Sequence, residues 1–468
     1  MKLRHSDSKN LMFIYNLLQG CELTDLNFLE HLCLEEYIEL IEINWNHNSF
    51  STADIVINTA LAKFPENVDL IDKKIQNHIY EQDYESAYLF LQHYASDILK
   101  PFDTSVLEVE ILYHMNKLEE ADRLLDTIEF ASEEQESTIL YYKGLLAQKA
   151  SNPFRAEEYF KQSILTWSEN QLSQAQLSRV IIKENKLAEN ENFIDQVLNI
   201  NPFAYQFWFC KGKIYKQRGE YQEALEAFDF AYVSCEKYFP AIEEKLELFL
   251  ENNNFDFALQ ELILIIEHFE PSVYHYIQTA QCFKFLDKIE KARQILHFAI
   301  EMYPDEEDIF HELSLIELVD GDYTLSLEFI LQAISINHHN EDFHTLAAEI
   351  YVYLNKDHLA KAHLKESLYI DHTNSKNWLK LCSFDFYEGD YNACLTSITE
   401  SKEHTFCNHI EVLKAATYFE MGERSHAFNI LNDVIEEDID SINAIFEYIP
   451  SLENDVELNA LMQVYQPL

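Results

Sequence analysis

An all-α fold, an α-solenoid of antiparallel helix pairs, is what this sequence predicts, and three observations carry it. The 468 residues include only 7 Gly and 9 Pro, too few for the turns of a loop-rich or β-rich fold. Hydrophobic residues make up 47% of the total, ample for a long core. A segment of about 34 residues recurs from residue 34 to about residue 441, and a fixed period of that length marks stacked supersecondary units.

The period is set by segments such as Gly219-Glu-Tyr-Gln-Glu-Ala224, Asn116-Lys-Leu-Glu-Glu-Ala121 and Gln82-Asp-Tyr-Glu-Ser-Ala87. Each has a polar or turn residue, a large residue two positions on, and Ala three positions later. Placing these Ala residues at one phase gives about twelve copies, starting at 34, 68, 102, 137, 171, 205, 239, 273, 307, 341, 375 and 408. Nine of the eleven steps are 34 residues long, one is 35 and one is 33. Position 24 is large and apolar in all twelve copies, from Ile57 and Leu91 to Ile398 and Leu431. Position 20 is Ala in nine; Ser326 and Cys394 are also small, and Asn190 alone is larger and polar.

Helix packing accounts for the pattern. Two apolar stripes at helical spacing flank a break near position 15, where Gly219, Gly321, Gly389 and Gly422 stand. A small residue at position 20 brings the second helix close to the first, and the bulky residue one turn later fills the adjoining groove. One pair cannot bury its stripe alone, so the next copy stacks on it.

In the copy starting at 205, Trp208, Gly212, Tyr215, Gly219, Tyr221, Ala224, Phe228 and Ala231 stand at the spacing of the tetratricopeptide repeat, which this chain resembles. Gly144, Ala156 and Phe160 repeat the match, as do Trp378, Leu381, Gly389 and Tyr391, and Pro65, Pro202 and Pro304 take its closing proline position. The resemblance implies a right-handed superhelix whose concave side is lined by the first helix of each pair. The copy at 171 departs furthest, with Gln174, Ser178 and Asn190 at key positions, and the array is expected to loosen there. Residues 1–33 and 442–468 read as terminal capping helices: Ser8, Gly20 and Thr24-Asp25 punctuate the first segment, and Asn454-Asp455 precedes a helical Val456–Tyr465.

Composition narrows function. The formal charge of −48, from 34 Lys+Arg against 82 Asp+Glu, repels nucleic acid and anionic membranes and favours solubility or basic partners. The eight cysteines form no C-x-x-C pair, which fits free thiols in a reducing compartment. With no secretory signal and no apolar run near 18 residues, the expected location is cytoplasmic.

No enzyme constellation is present in the sequence. The patterns G-x-G-x-x-G, G-x-x-x-x-G-K, G-x-S-x-G and H-E-x-x-H are all missing, so no catalysis, cofactor, metal or small-molecule substrate is expected. His338, His339 and His344 resemble metal ligands, but His338 occupies an inter-copy turn position where His372 recurs. Cys382 and Cys394 fill small-residue slots and read as core thiols. Some tetratricopeptide domains hold acidic C-termini of chaperones through Lys at position 5 and Asn at position 9, and no copy here carries that pair.

One window breaks the acidic background. Between Lys143 and Arg218 stand eleven basic and seven acidic residues. By repeat phase, Lys149, Arg179, Lys183, Lys213 and Lys216 belong to the concave side, together with Tyr141 and Phe209. Two readings stand side by side: the strip neutralises the acidic helix carrying Glu243, Glu244, Glu247 and Glu251, or it is a groove for an acidic or C-terminal segment of a partner. The expected function is a protein-binding adaptor or scaffold that holds an extended segment or helix along its inner groove. The alternatives are a structural or regulatory subunit that docks through its outer or end surfaces and, more remotely, an enzyme with a site of dispersed residues.

Overall fold

A computed structural model describes residues 29–94, 101–438 and 440–465. The expected N-terminal cap lies outside these residues apart from a 3-10 turn at Leu29–His31. The molecule divides into two compact units, residues 1–241 and 242–468, and among the described residues both are built from helices without strands.

The first unit holds six helix pairs. They are α1 (Leu34–Asn46) with α2 (Phe50–Lys63), α3 (Val68–Tyr80) with α4 (Tyr84–Tyr94), and α5 (Pro101–His114) with α6 (Leu118–Leu125). There follow α7 (Glu133–Lys149) with α8 (Pro153–Thr166), α9 (Gln171–Lys183) with α10 (Leu187–Ile200), and α11 (Tyr205–Arg218) with α12 (Tyr221–Ser234). The next pair, α13 (Phe239–Glu251) with α14 (Phe255–His268), begins at the boundary. The second unit continues with α15 (Val273–Phe285) and α16 (Ile289–Met302), α17 (Glu307–Asp320) and α18 (Tyr323–Ile336), and α19 (Glu341–Tyr353) and α20 (Asp357–Ile370). Its last pairs are α21 (Ser375–Tyr387) with α22 (Tyr391–Ser401) and α23 (Asn408–Glu420) with α24 (Arg424–Glu437).

Ten of the twelve starts read from the sequence are the first residue of a helix. The exceptions are α5, one residue early, and α7, which starts four residues early because Ser132 caps it by accepting a hydrogen bond from the Gln135 amide at 3.3 Å.

The turn inside each pair has one geometry. Position 15 adopts the left-handed conformation in every copy, with φ between 54° at Asn48 and 87° at Gly321. Four of these residues are Gly and five are Asn, the types that adopt this conformation at least cost. The next amide donates back five residues each time, from Ser49 to Asn44 at 2.8 Å through Glu220 to Tyr215 at 3.0 Å to Glu423 to Tyr418 at 2.8 Å. That bond satisfies a carbonyl which the end of the first helix would leave bare.

Packing between paired helices follows positions 8, 20 and 24. Every residue at positions 20 and 24 is at most 2% exposed. Where position 8 is Gly, position 24 is Phe: a Cβ on Gly144 would stand 2.5 Å from the Phe160 ring, and one on Gly212 would stand 2.5 Å from the Phe228 ring. In the copy at 307 the facing residues are both serines. Ser314 Oγ donates to the Ser326 carbonyl at 2.9 Å and Ser326 Oγ donates back to the Ser314 carbonyl at 2.7 Å. At Asn190 the pattern is broken. Its Nδ2 donates to the Lys186 carbonyl at 3.1 Å and its Oδ1 is buried without a partner. Here α9 and α10 touch less extensively than the pairs on either side, and α9 packs directly on α11.

After α24 the backbone forms two 3-10 turns (Asp440–Ala444 and Pro450–Asn454) around the short α25 (Ile445–Tyr448), then α26 (Val456–Tyr465). Ile442, Ile445, Leu452 and Leu458 enter the same apolar cluster as Val412 and Leu431, and Arg424 donates to both Asp455 and Glu457 at 2.8 Å.

Candidate partner-binding groove

The basic window runs from α7 to α11, and several of its cations are already paired. Lys143 reaches Asp126 at 2.6 Å, Lys161 reaches Glu157 at 2.6 Å, and Lys211 reaches Asp195 at 2.8 Å. Lys186 joins Glu157 at 3.2 Å, and Arg218 joins Glu191 at 3.0 Å. Arg179 and Lys183 differ. Both are exposed on α9, one helical turn apart, and neither forms an ion pair among the described residues.

The other expected groove residues have distinct places. Lys149 turns to the preceding pair, where its Nζ donates to the Tyr113 carbonyl at 2.5 Å and stands 4.2 Å from the centre of the Tyr113 ring. Lys213 is half-buried with Nζ 5.4 Å from the centre of the Phe209 ring, and Lys216 is half-buried as well. Tyr141 and Phe209 are core residues rather than open contact surface. Tyr141 packs on Phe160, and Phe209, 6% exposed, packs on Phe228 and edge-on to Tyr238. Burial pushes the Tyr141 phenol up from its ordinary pKa, opposed by a hydrogen bond with Gln176.

Between α9 and α11 lies a groove of about 340 Å³, lined by Ser178, Arg179, Ile182, Lys183, Gln206 and the rings of Tyr205 and Tyr238. The two rings meet edge to face, 4.8 Å apart, and burial raises both phenol pKa values, keeping the hydroxyls protonated at neutral pH. Gln206 is 3% exposed, and both its Nε2 and Oε1 lack a hydrogen-bond partner. The Tyr205 phenol is near enough to feel this amide, though outside hydrogen-bond geometry. Sequence reasoning missed Gln206 because position 2 is polar in most copies and its burial depends on its neighbours.

The remaining candidates resolve into packing. His344 Nδ1 lies 3.1 Å from His363 Nδ1, and its Nε2 lies 3.3 Å from the His338 carbonyl. No group of three or more His, Cys, Asp or Glu side chains suited to a metal occurs among the described residues. Cys382 and Cys394 are fully buried, and burial pushes both thiols up, Cys394 to about 11. No helix among the described residues is long and apolar enough to cross a membrane.

No protein-family model matches the sequence, and no curated protein matches it. Solved structures do. A chain of the APC/C hetero-tetramer Cut9-Hcn1 is 14% identical over 95% of this protein and 99% of its own length, with a TM-score of 0.34. A tetratricopeptide repeat protein from Parabacteroides merdae is 17% identical over 53% of this protein and 98% of its own length, with a TM-score of 0.34. YrrB, described as a tetratricopeptide protein with an unusual peptide-binding site, is 14% identical over 47% of this protein and 96% of its own length, with a TM-score of 0.28. What decides the fold is internal to the molecule: the 34-residue period, the left-handed residue at position 15 and the buried residues at positions 20 and 24. On that ground the protein is an all-α solenoid of tetratricopeptide-like helix pairs.

Proposed function

We propose that the protein is a protein-binding adaptor, and that the first-helix face of α7, α9 and α11 receives an acidic segment of a partner. The observation that carries this reading is the unpaired state of Arg179 and Lys183. Against a background of 82 acidic and 34 basic residues, two neighbouring exposed cations with no carboxylate of their own are suited to carboxylates from outside. Lys213 and Lys216 extend the positive strip along α11, while Tyr141, Phe209 and Lys149 hold its floor and one end. Binding is mass action on a preformed surface with no covalent step.

The test is the triple charge reversal Arg179→Glu, Lys183→Glu, Lys213→Glu, probed with a fluorescent oligo-aspartate peptide and by affinity capture of partners. The unmodified protein binds the peptide, more weakly as salt rises past about 0.15 M, where the screening length is about 8 Å. The variant loses binding, and its melting temperature falls only by what the half-buried Lys213 contributes, because exposed charges such as Arg179 and Lys183 contribute only about 0–1 kcal/mol each. Retained binding that is also insensitive to salt overturns the reading.

Exposed Phe203 and Val233, with Phe230 stacked 4.7 Å from Trp208, favour a second reading. In it the protein is a subunit that docks through its outer surface. Partner capture that survives the triple reversal but is lost with Phe203→Ser and Val233→Ser supports that reading.

A further inference from the structure

Position 7 of the repeat is Lys in five copies, at Lys74, Lys143, Lys211, Lys245 and Lys414. Four of these ammonium groups meet carboxylates on a second helix or at its end. Lys74 pairs with Asp54, Lys143 reaches Asp126 at 2.6 Å, and Lys245 reaches Glu261 at 2.6 Å. Lys211 reaches Asp195 at 2.8 Å and Glu191 at 3.1 Å. These acids stand at positions 21, 23 and 25 of their copies. Around Lys414 the same positions hold Leu395 and Thr399 on α22 and Ile430 on α24. Lys414 is half-buried and forms no ion pair among the described residues.

Its charged neighbour is a cation. The helix α22 has 11 residues where α12 and α24 have 14, and it ends just before Lys402. Lys402 takes a position held by Leu198, Ile300 and Leu368 in other copies. It pairs with Glu411 at 2.6 Å and lines, with Lys414, Phe406 and Ile430, a groove of about 460 Å³. Burial, and after it the Lys402 charge, hold the Lys414 amine below the usual lysine range, with Glu411 opposing. A lysine desolvated beside a second cation is the arrangement that frees an amine to act as a nucleophile.

We propose that Lys414 is a modification site whose amine takes carbon dioxide as a reversible carbamate. The nitrogen lone pair forms the N–C bond, one C=O π pair moves onto oxygen, and the nitrogen gives a proton to water. No oxidant, reductant or activated donor is needed. The adduct is negative where the ammonium was positive, so Lys402 changes from a repelling neighbour into a counter-ion. Charge selects the electrophile. Glu411, Asp433, Glu436 and Glu437 line the same groove and the whole chain carries −48, which repels acyl phosphates and other anionic donors but not an uncharged molecule. The same carboxylates oppose the anionic adduct and keep it reversible.

The test exposes the full-length protein to dissolved carbon dioxide at neutral pH, traps carbamates as ethyl esters with triethyloxonium, and locates them by mass spectrometry of peptides. Lys414 carries the trapped group, whereas Lys74, Lys143, Lys211 and Lys245, held protonated by their carboxylates, do not. Lys402→Gln lowers occupancy at Lys414 about tenfold, the change that one pKa unit makes in the fraction of neutral amine. Ile430→Glu gives Lys414 the acid that Lys245 has and abolishes trapping. Lys414→Leu is the blank, and it folds because Leu40, Leu177, Leu313 and Leu381 hold this position in other copies. Trapping at Lys414 no greater than at Lys245, or unchanged in Lys402→Gln, overturns the proposal. Acetylation of Lys414 by acetyl phosphate without any carbamate also overturns it, since the electrophile is then a different one. Should Ile430→Glu not fold, the exposed Lys402→Gln decides the question.

Discussion

Single side chains set the spacing within each pair. Gly212 has no side chain and Phe228 fills the space, whereas the copies at 273, 341 and 408 reach the same closure with Ala280 and Leu296, Ala348 and Leu364, and Ala415 and Leu431. Volume is traded between positions 8 and 24. Gly212→Ala therefore costs about 1–3 kcal/mol by overpacking, even though Ala is the better helix former. Adding Phe228→Leu recovers most of the loss. Denaturant melts of the two single variants and the double variant check this, and additive losses refute the trade. Positions 20 and 24 are legible in the sequence because size alone defines them. Repeat phase places Tyr141 and Phe209 on the first-helix face, and from phase alone they read as binding surface. Their burial comes from Phe160 and Phe228 one helix away, which phase does not report. Gln206 is illegible for a related reason: its neighbour α9 comes from another copy, and Tyr238 from the far end of its own.

At the scale of helices and turns, the sequence announces the left-handed residue only where it is Gly. The structure places eight other residues in that conformation, including Gln82 and Ser151, because the bond from position 16 back to position 11 requires it whatever the side chain. Ser151 is exposed with φ 60°, so Ser151→Gly relieves backbone strain without removing a contact. Its net gain is about 0.5–1 kcal/mol, the relief being partly offset by the greater freedom of Gly in the unfolded state. Asn185→Gly gains less, since Asn tolerates this conformation. Thermal melts of the two variants give that order, and a Ser151→Gly variant less stable than the parent refutes it. The weakness expected at the copy starting at 171 takes the form of an unpartnered Asn190 Oδ1 and a sparser contact of α9 with α10. Arg179, Lys183 and one wall of the groove stand on α9 itself, so a loosely paired first helix carries the candidate site.

Across the whole molecule, contacts run between sequence neighbours, which makes stability local in a way that a single globular core does not allow. Ala360→Leu overpacks α19 against α20. It should speed amide exchange in α17 through α22 while leaving α1 through α6 as protected as before, and a uniform loss of protection across both units refutes this. Fold class and repeat phase are legible in the sequence because each copy restates them. The division at residue 241 and the groove are not, because each depends on how particular copies meet. The repeated turn also governs how the protein tolerates changes in length. From the left-handed residue to position 20 of the second helix, small in all copies but the one with Asn190, the distance is five residues. The 35-residue and 33-residue steps each gain or lose their residue later, in the stretches containing the connectors 126–132 and 402–407. The hairpin inside a pair keeps a fixed reading frame, and the joint between pairs is where the frame slips. A foreign peptide spliced into 127–131 would lengthen a joint that already varies, and the same peptide after Ser151 would break the frame that places Ala156 against α7.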